Sequence, residues 1–313
     1  MKTYYPSYYD KFTCIAGECP DSCCKAWEIV IDPKTCKKYE AVSGEFGNKL
    51  RNALVTDSEG DKCFALCSGK CPFLNGDNLC DIHMNLGEDY TSDVCKAHPR
   101  FVEEYDGFTE ISLSVSCPEA NRIVFSCEDL YPVPEYTGDD EVLALLISSR
   151  KSLLDADCSF IELVGHILNT SADDSLDIDM VYIADFPEFN VTFIKDFISV
   201  LLKNEILTDE WKSVLLNESI DSVTDEELNA AIKSNEKNLI KFVRYMLYRY
   251  YLKAVNDLDV YSRALFIISS AYVSLFVSLL NGKAFGECAR LFSKETEHNT
   301  DNIDNILAYF SNF

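Results

Sequence analysis

Basic side chains are scarce in this sequence: 28 Lys and Arg stand against 52 Asp and Glu, a formal charge of −24 over 313 residues. That balance argues against nucleic acid as a partner, because phosphate contacts need clustered cations. The acidity suits either a basic partner or plain solubility, and charge alone does not separate the two. Long apolar runs are also missing. Residues 264–280 are the most apolar stretch, uncharged but interrupted by four serines, and shorter than the roughly 20 residues of a spanning helix. Asn281-Gly282 follows as a helix C-cap signal, so a buried core helix is expected there, with no membrane association. Residues 1–10 lack the apolar centre of a signal peptide, which predicts a cytoplasmic protein. No Gly-x-Gly occurs, so a Rossmann-type loop is not expected. There is no internal repeat and no low-complexity tract.

Cysteine is what the chain has in excess. Twelve of its 14 cysteines fall between Cys14 and Cys127, and only Cys158 and Cys288 lie beyond. In a reducing compartment disulfide frameworks are rare, which leaves metal binding as the leading reason for such density. The groups are Cys14-x4-Cys19-x3-Cys23-Cys24, Cys71-x8-Cys80, Cys95 and Cys117. Asn75-Gly76 can reverse the chain between Cys71 and Cys80 and bring those sulfurs to one centre. The candidate metal ligands are therefore Cys14, Cys19, Cys23, Cys24, Cys71, Cys80, Cys95 and Cys117. Zinc or a 4Fe–4S cluster would each use about four thiolates, so the set exceeds one centre and the choice of four stays open. Adjacent thiols point apart in any regular backbone, so Cys23 and Cys24 are expected to serve different roles. Cys36, Cys63, Cys67 and Cys127 read as buried thiols without a ligand role. His83 and His98 lie in the same region, where a surface or hydrogen-bonded role is the commoner one for a lone histidine. No catalytic residue and no donor-binding residue is assigned.

The expected fold is mainly α with an irregular, cysteine-rich N-terminal region containing short β-strands and hairpins. The proline-bearing stretch 131–138 reads as a linker, dividing a cysteine-rich domain, 1–130, from a helical domain, 139–313. Trp27, Ile29 and Ile31 alternate as in a short strand, and Asp32-Pro33 reads as an N-cap with proline at the first helical position. Asp106-Gly107 signals a hairpin. Ile111, Leu113 and Val115 alternate with serines as in a half-buried strand. Ser116 and Glu119 have capping-box spacing, which would put Cys117 in a first helical turn, where the helix dipole favours a thiolate. Thr224 and Glu227 repeat that spacing ahead of a helix burying Leu239, Phe242, Val243, Met246, Leu247 and Tyr250. Lys237, Lys241, Arg244 and Lys253 are left for solvent. Further helices are expected over 141–154, 196–204, 208–216 and 302–310. Nothing in this half resembles a catalytic constellation.

The run from Phe12 to Trp27 holding the first four cysteines resembles the opening of the flagellin lysine-N-methylases. Four further blocks are similar to the same family. They are Cys71-Pro-Phe-Leu74, Leu79-Cys80-Asp-Ile82 with Leu86-Gly87-Glu88, Cys95 with Pro99-Arg100, and Ser114 to Ala120 around Cys117. Several of them also resemble the CxxCxxCC group of zinc- or iron-chelating domains. The likeness is specific over about residues 4–127. His98 stands where the family has an aromatic residue before Pro-Arg, and Cys63-x3-Cys67 is particular to this chain. The resemblance implies methyl transfer from S-adenosylmethionine to lysine side chains of flagellin, dependent on an iron–sulfur centre of the 4Fe–4S type. Read from the residues alone, zinc is the alternative metal, and a non-catalytic chelating module or a redox protein is the alternative function.

Overall fold

A computed structural model describes residues 1–58, 60–172 and 186–313. The described strands are β1 (Lys2–Tyr4), β2 (Leu54–Thr56), β3 (Lys62–Phe64), β4 (Arg100–Tyr105) and β5 (Phe108–Leu113). Helices make up most of the rest, as expected from the sequence. The chain divides into two compact units: residues 13–101 with 117–119, and residues 1–12, 102–116 and 120–313. The helical unit thus takes in three pieces of the stretch 1–130: residues 1–12, 102–116 and 120–130.

In the cysteine-rich unit, α1 (Pro33–Ala41), α2 (Gly44–Ala53), α3 (Asp81–Leu86) and α4 (Asp93–Ala97) are all short. Asp32 caps α1 by accepting from the Thr35 N–H, with Pro33 at the first position. The alternation at 27–31 yields an extended stretch rather than a named strand. Ile29 and Ile31 are buried, and Ile29 C=O and Ile31 N–H bond to Phe64 and Lys62 of β3. Those isoleucines join Tyr39, Leu50, Phe64, Phe73 and Ile82 in one core, against which Cys24, Cys36, Cys80 and Cys95 pack.

In the helical unit, β1 runs parallel to β5, with Tyr4 opposite Glu110, and β5 is the middle strand of the order β1-β5-β4. Gly107 adopts φ +80° at the Asp106-Gly107 hairpin turn. The serine face of β5 and of the residues after it is buried as well as the apolar face: Ser112 and Ser114 are as inaccessible as Leu113 and Val115. A middle strand covered on both sides explains the departure from the half-buried pattern.

The helices of this unit are α5 (Pro118–Ser126), α6 (Glu141–Leu154), α7 (Phe160–Ser171), α8 (Val191–Leu201), α9 (Asp209–Leu215), α10 (Asp225–Tyr250), α11 (Val260–Asn281), α12 (Phe285–Thr296) and α13 (Thr300–Phe310). The helix expected at 196–204 begins earlier, because Asn190 caps it at Val191. Thr224 and Glu227 form the full capping box of α10. α11 packs against α7 to α10, α12 and α13. Among the described residues it is the one helix long and apolar enough to cross a membrane, yet 78% of its apolar window is buried. Each fully buried Leu or Phe on it contributes roughly 1.5–3 kcal/mol, and Gly282, left-handed at φ +61°, ends it as a C-cap.

Three of the cations expected to face solvent are engaged. Lys241 is buried and donates to the Phe125 and Cys127 carbonyls at the end of α5, where free carbonyls attract a cation. Arg244 bonds Asp129 and the Ala156 carbonyl, and Lys253 pairs with Glu103 at 2.6 Å. Residues 131–138 are also tied down: the Glu135 N–H donates to the Tyr4 hydroxyl, and the Tyr136 hydroxyl donates to Asp106.

Glu110 on β5 and Arg150 on α6 form a bidentate pair, with side chains 3% and 2% exposed. Arg150 also donates to the Tyr248 carbonyl at 3.0 Å. Removing one partner of a buried pair strands the other charge, at a cost of about 3–5 kcal/mol. Arg150→Met should lower the urea-unfolding free energy by that amount, while Lys151→Met, which breaks an exposed pair with Asp155, should change it by under about 1 kcal/mol.

Candidate metal centre

The site starts from a turn. The Lys25 N–H bonds the Ser22 carbonyl, and this irregular backbone lets the Cys23 and Cys24 thiols hydrogen-bond to each other. The expectation that they face apart holds for regular backbone and fails here. The Cys24 carbonyl then accepts the Cys71 N–H at 2.9 Å, which seats the first cysteine group on the second.

Chain reversal between Cys71 and Cys80 occurs as expected but by a different device. Gly76 has no positive φ; Asn78 takes the left-handed position at φ +55°. The Asn75 side-chain oxygen accepts the Asp77 and Leu79 N–H groups, each at 3.0 Å, an Asx-type turn. A bridge between Leu74 and Cys80 closes the loop. Gly17 lies against it: a Cβ there would stand 2.8 Å from the Asp77 carbonyl oxygen, so the close approach of the first group requires glycine. Cys95 is fixed by Ser92, the N-cap of α4, whose hydroxyl accepts the Cys95 N–H at 3.2 Å.

Cys24, Cys71, Cys80 and Cys95 come together so that every pair among them interacts electrostatically. Burial pushes Cys71 up to about 12 and Cys95 up to about 11. It raises Cys80 as well, against the pull of the His83 and Ile82 N–H groups on its sulfur. Cys24 is drawn down to about 7, first by the hydrogen bond from Cys23. Cys23 rises in exchange; it keeps solvent contact, so the shared hydrogen bond outweighs burial as the cause. Cys14 and Cys95 also act on Cys23. The Phe73 N–H is directed at the Cys71 sulfur, and the Ala16 N–H donates to the Cys14 sulfur at 3.4 Å.

These features fit a thiolate-bound metal. Clustered buried thiols resist ionisation on their own, whereas a coordinated cation removes their protons outright, and N–H groups aimed at sulfur stabilise the resulting charge. An all-sulfur donor set suits zinc or iron–sulfur over magnesium or calcium.

The remaining expected ligands are placed less centrally. The Cys19 thiol donates to the Asp21 carbonyl at 3.2 Å. Cys117 belongs to the cysteine-rich unit by its contacts, but it precedes α5 instead of lying in its first turn. Pro118 takes the first position, as proline favours, and the Ser116 hydroxyl bonds His298 Nε2 at 2.8 Å instead of capping. His83 is exposed. The His98 ring lies 6.0 Å from that of Trp27, filling an aromatic's place. Cys67 is exposed, not buried; it pairs with Lys70 at the base of a tight turn whose tip is Ser68-Gly69.

Tyr39 was not legible as a site residue. It is fully buried, and its phenol feels Cys95, Cys80, Cys71 and Cys36 after the larger effect of burial. It is held by a 2.8 Å bond to the Tyr90 carbonyl. The helical unit carries polar groups that the sequence did not announce either. His298 Nε2 meets Ser114 and Ser116, and Glu297 receives bonds from Tyr245, Tyr250 and Arg249.

Sequence comparison gives this geometry a context. The chain is 28% identical over 179 residues to the lysine-N-methylase of Salmonella typhimurium strain LT2, a match covering 55% of this chain and 44% of that protein. The same figures hold for the lysine-N-methylase of Salmonella choleraesuis strain SC-B67. The chain is a relative of the lysine-N-methylases. It is also 29% identical over 136 residues to the flagellar biosynthetic protein FliU of Salmonella muenchen, covering 42% of this chain and 80% of that protein. The match thus spans under half the length of the two methylases. No family model and no solved structure matches the chain.

Serine at Cys24, Cys71, Cys80 or Cys95 should lower both metal content and soluble yield, because binding and folding of such sites are coupled. Cys158→Ser should leave both unchanged. Elemental analysis of anaerobically purified protein checks this; a Cys71→Ser protein with full metal would remove Cys71 from the centre.

Proposed function

We propose that the protein transfers methyl groups from S-adenosylmethionine to lysine side chains of flagellin and that this activity depends on a cysteine-bound iron–sulfur centre. The observation that carries the reading is the similarity to the lysine-N-methylases, supported by the FliU likeness for the flagellar context. Cys24, Cys71, Cys80 and Cys95 would hold the centre. Such a cluster supplies redox-active iron and, by tying separate segments together, folding energy.

In the transfer a lysine nitrogen bonds the methyl carbon, the carbon–sulfonium bond breaks, and S-adenosylhomocysteine leaves. The amine must give up its proton first, since only the neutral form has a lone pair. The −24 charge favours capture of lysine-rich surfaces but also raises a bound lysine's pKa. Capture and deprotonation therefore belong to different microenvironments.

Protein purified without oxygen should be brown and contain acid-labile sulfide; colourless protein with stoichiometric zinc would overturn the cluster and keep the site. Given S-adenosylmethionine and flagellin, it should add mass in methyl increments to flagellin lysines. Cys71→Ser and Cys95→Ser should abolish this, and added salt should weaken flagellin capture. Protein with a filled site that binds flagellin but methylates nothing, under reducing or non-reducing conditions, would leave the chelating module as the better reading.

A further inference from the structure

A second set of ligand-type atoms lies in the cysteine-rich unit, away from the four clustered sulfurs. The Cys63 sulfur and carboxylate oxygens of Glu28 and Asp57 all lie within 4.8 Å of one another. Three segments deliver them. Cys63 is the central residue of β3, paired with Val55 of β2. Glu28 comes from the extended stretch hydrogen-bonded to β3 through Ile29 and Ile31. Asp57 follows β2 in a turn fixed twice over, its N–H donating to the Asp61 carbonyl and its Oδ1 accepting the Asp61 N–H at 2.9 Å.

We infer that Glu28, Asp57 and Cys63 form a zinc site distinct from the centre at Cys24, Cys71, Cys80 and Cys95. The first support is spacing. Zn–S of about 2.3 Å and Zn–O of about 2.1 Å at a tetrahedral angle put sulfur and oxygen about 3.6 Å apart. Cys63 Sγ stands 3.7 Å from Glu28 Oε2. The second is the state of Cys63. It is 1% exposed, and among the described residues its thiol's hydrogen bond runs to Glu28, inside the group. A buried thiol is thus aimed at two carboxylates, with no partner outside them.

Burial first, and then the two carboxylates, push the thiol's pKa up, so a thiolate here is favoured only with a cation beside it. The neighbouring amine does not fill that need, because Lys62 Nζ donates to Thr56 Oγ1 at 2.7 Å. One sulfur with two carboxylate oxygens is a borderline donor set that selects zinc over magnesium or calcium. Glu28 is exposed and Asp57 half-buried, so the cation has an entry side and room for water as a fourth ligand. Bound there, zinc would clamp the β2–β3 hairpin to the stretch that follows Cys24. This site stands whether or not the chain is a methyltransferase.

The test uses the full chain purified without oxygen, titrated with zinc against a chromophoric chelator, and separately with cobalt as an optical probe. Wild type should take up about one zinc with iron and sulfide unchanged. Glu28→Gln and Asp57→Asn should each weaken zinc more than about tenfold, again with iron and sulfide unchanged, and Cys63→Ser should remove the thiolate-to-cobalt absorption. Should Cys63→Ser fail to fold, the two carboxylate variants, altered at the surface, still decide. Zinc uptake equal in wild type and both carboxylate variants, or none in wild type, would overturn the site. Iron lost together with zinc would assign these residues to the first centre and overturn it equally.

Discussion

Sulfur atoms that share a small hydrophobic core cannot all carry charge unless a cation sits among them. The cysteine-rich unit is built around that constraint. Its strands β2 and β3 have three residues each and its longest helix has ten, lengths that are marginal in isolation. What joins them is the contact set around Cys24, Cys71, Cys80 and Cys95, seated on Ile29, Phe73 and Ile82. The Cys24–Cys71 backbone bond, the Asn75 turn and the Gly17 approach all serve to hold separate segments at that one place.

The helical unit meets burial of charge differently, with protein groups alone. Glu110 is neutralised by Arg150. Glu297, fully enclosed, receives the Arg249 guanidinium and two tyrosine hydroxyls. α11, surrounded by six other helices, supplies a conventional apolar core around these pairs. The helical unit therefore gains order from charged side chains that match each other, whereas the cysteine-rich unit gathers thiols whose chemistry suits a shared cation.

Local rules of the chain were readable from the residues. The Asp32-Pro33 cap, the Thr224–Glu227 box, the Gly282 stop and the Asp106-Gly107 turn all depend on residues within a few positions of each other. The chain reversal between Cys71 and Cys80 was readable because it is also local. Tyr39 was not, since its place beside the sulfurs depends on how α1 packs. Lys241 and Ser112 were misjudged for a related reason. A lysine on an exposed-looking helix face finds two carbonyls at the end of α5, and a serine on a polar strand face is covered once the strand becomes central. Ser116 fits a cap by spacing, yet His298, far along the chain, takes its hydroxyl.

The order of the pieces along the chain has a temporal side. Every residue of the cysteine-rich unit precedes residue 120, while the helical unit extends to residue 313. Chains emerge from the ribosome N-terminus first, and units fold as they are completed. The thiols of that unit are therefore all present before α6 to α13 exist, so the ligands of the proposed centre are complete on a nascent chain. The first twelve residues and the β4–β5 hairpin must meanwhile wait: Glu110 has no counter-charge until Arg150 is made, and Ser116 has none of its final partners on α12 and beyond until the last few dozen residues appear.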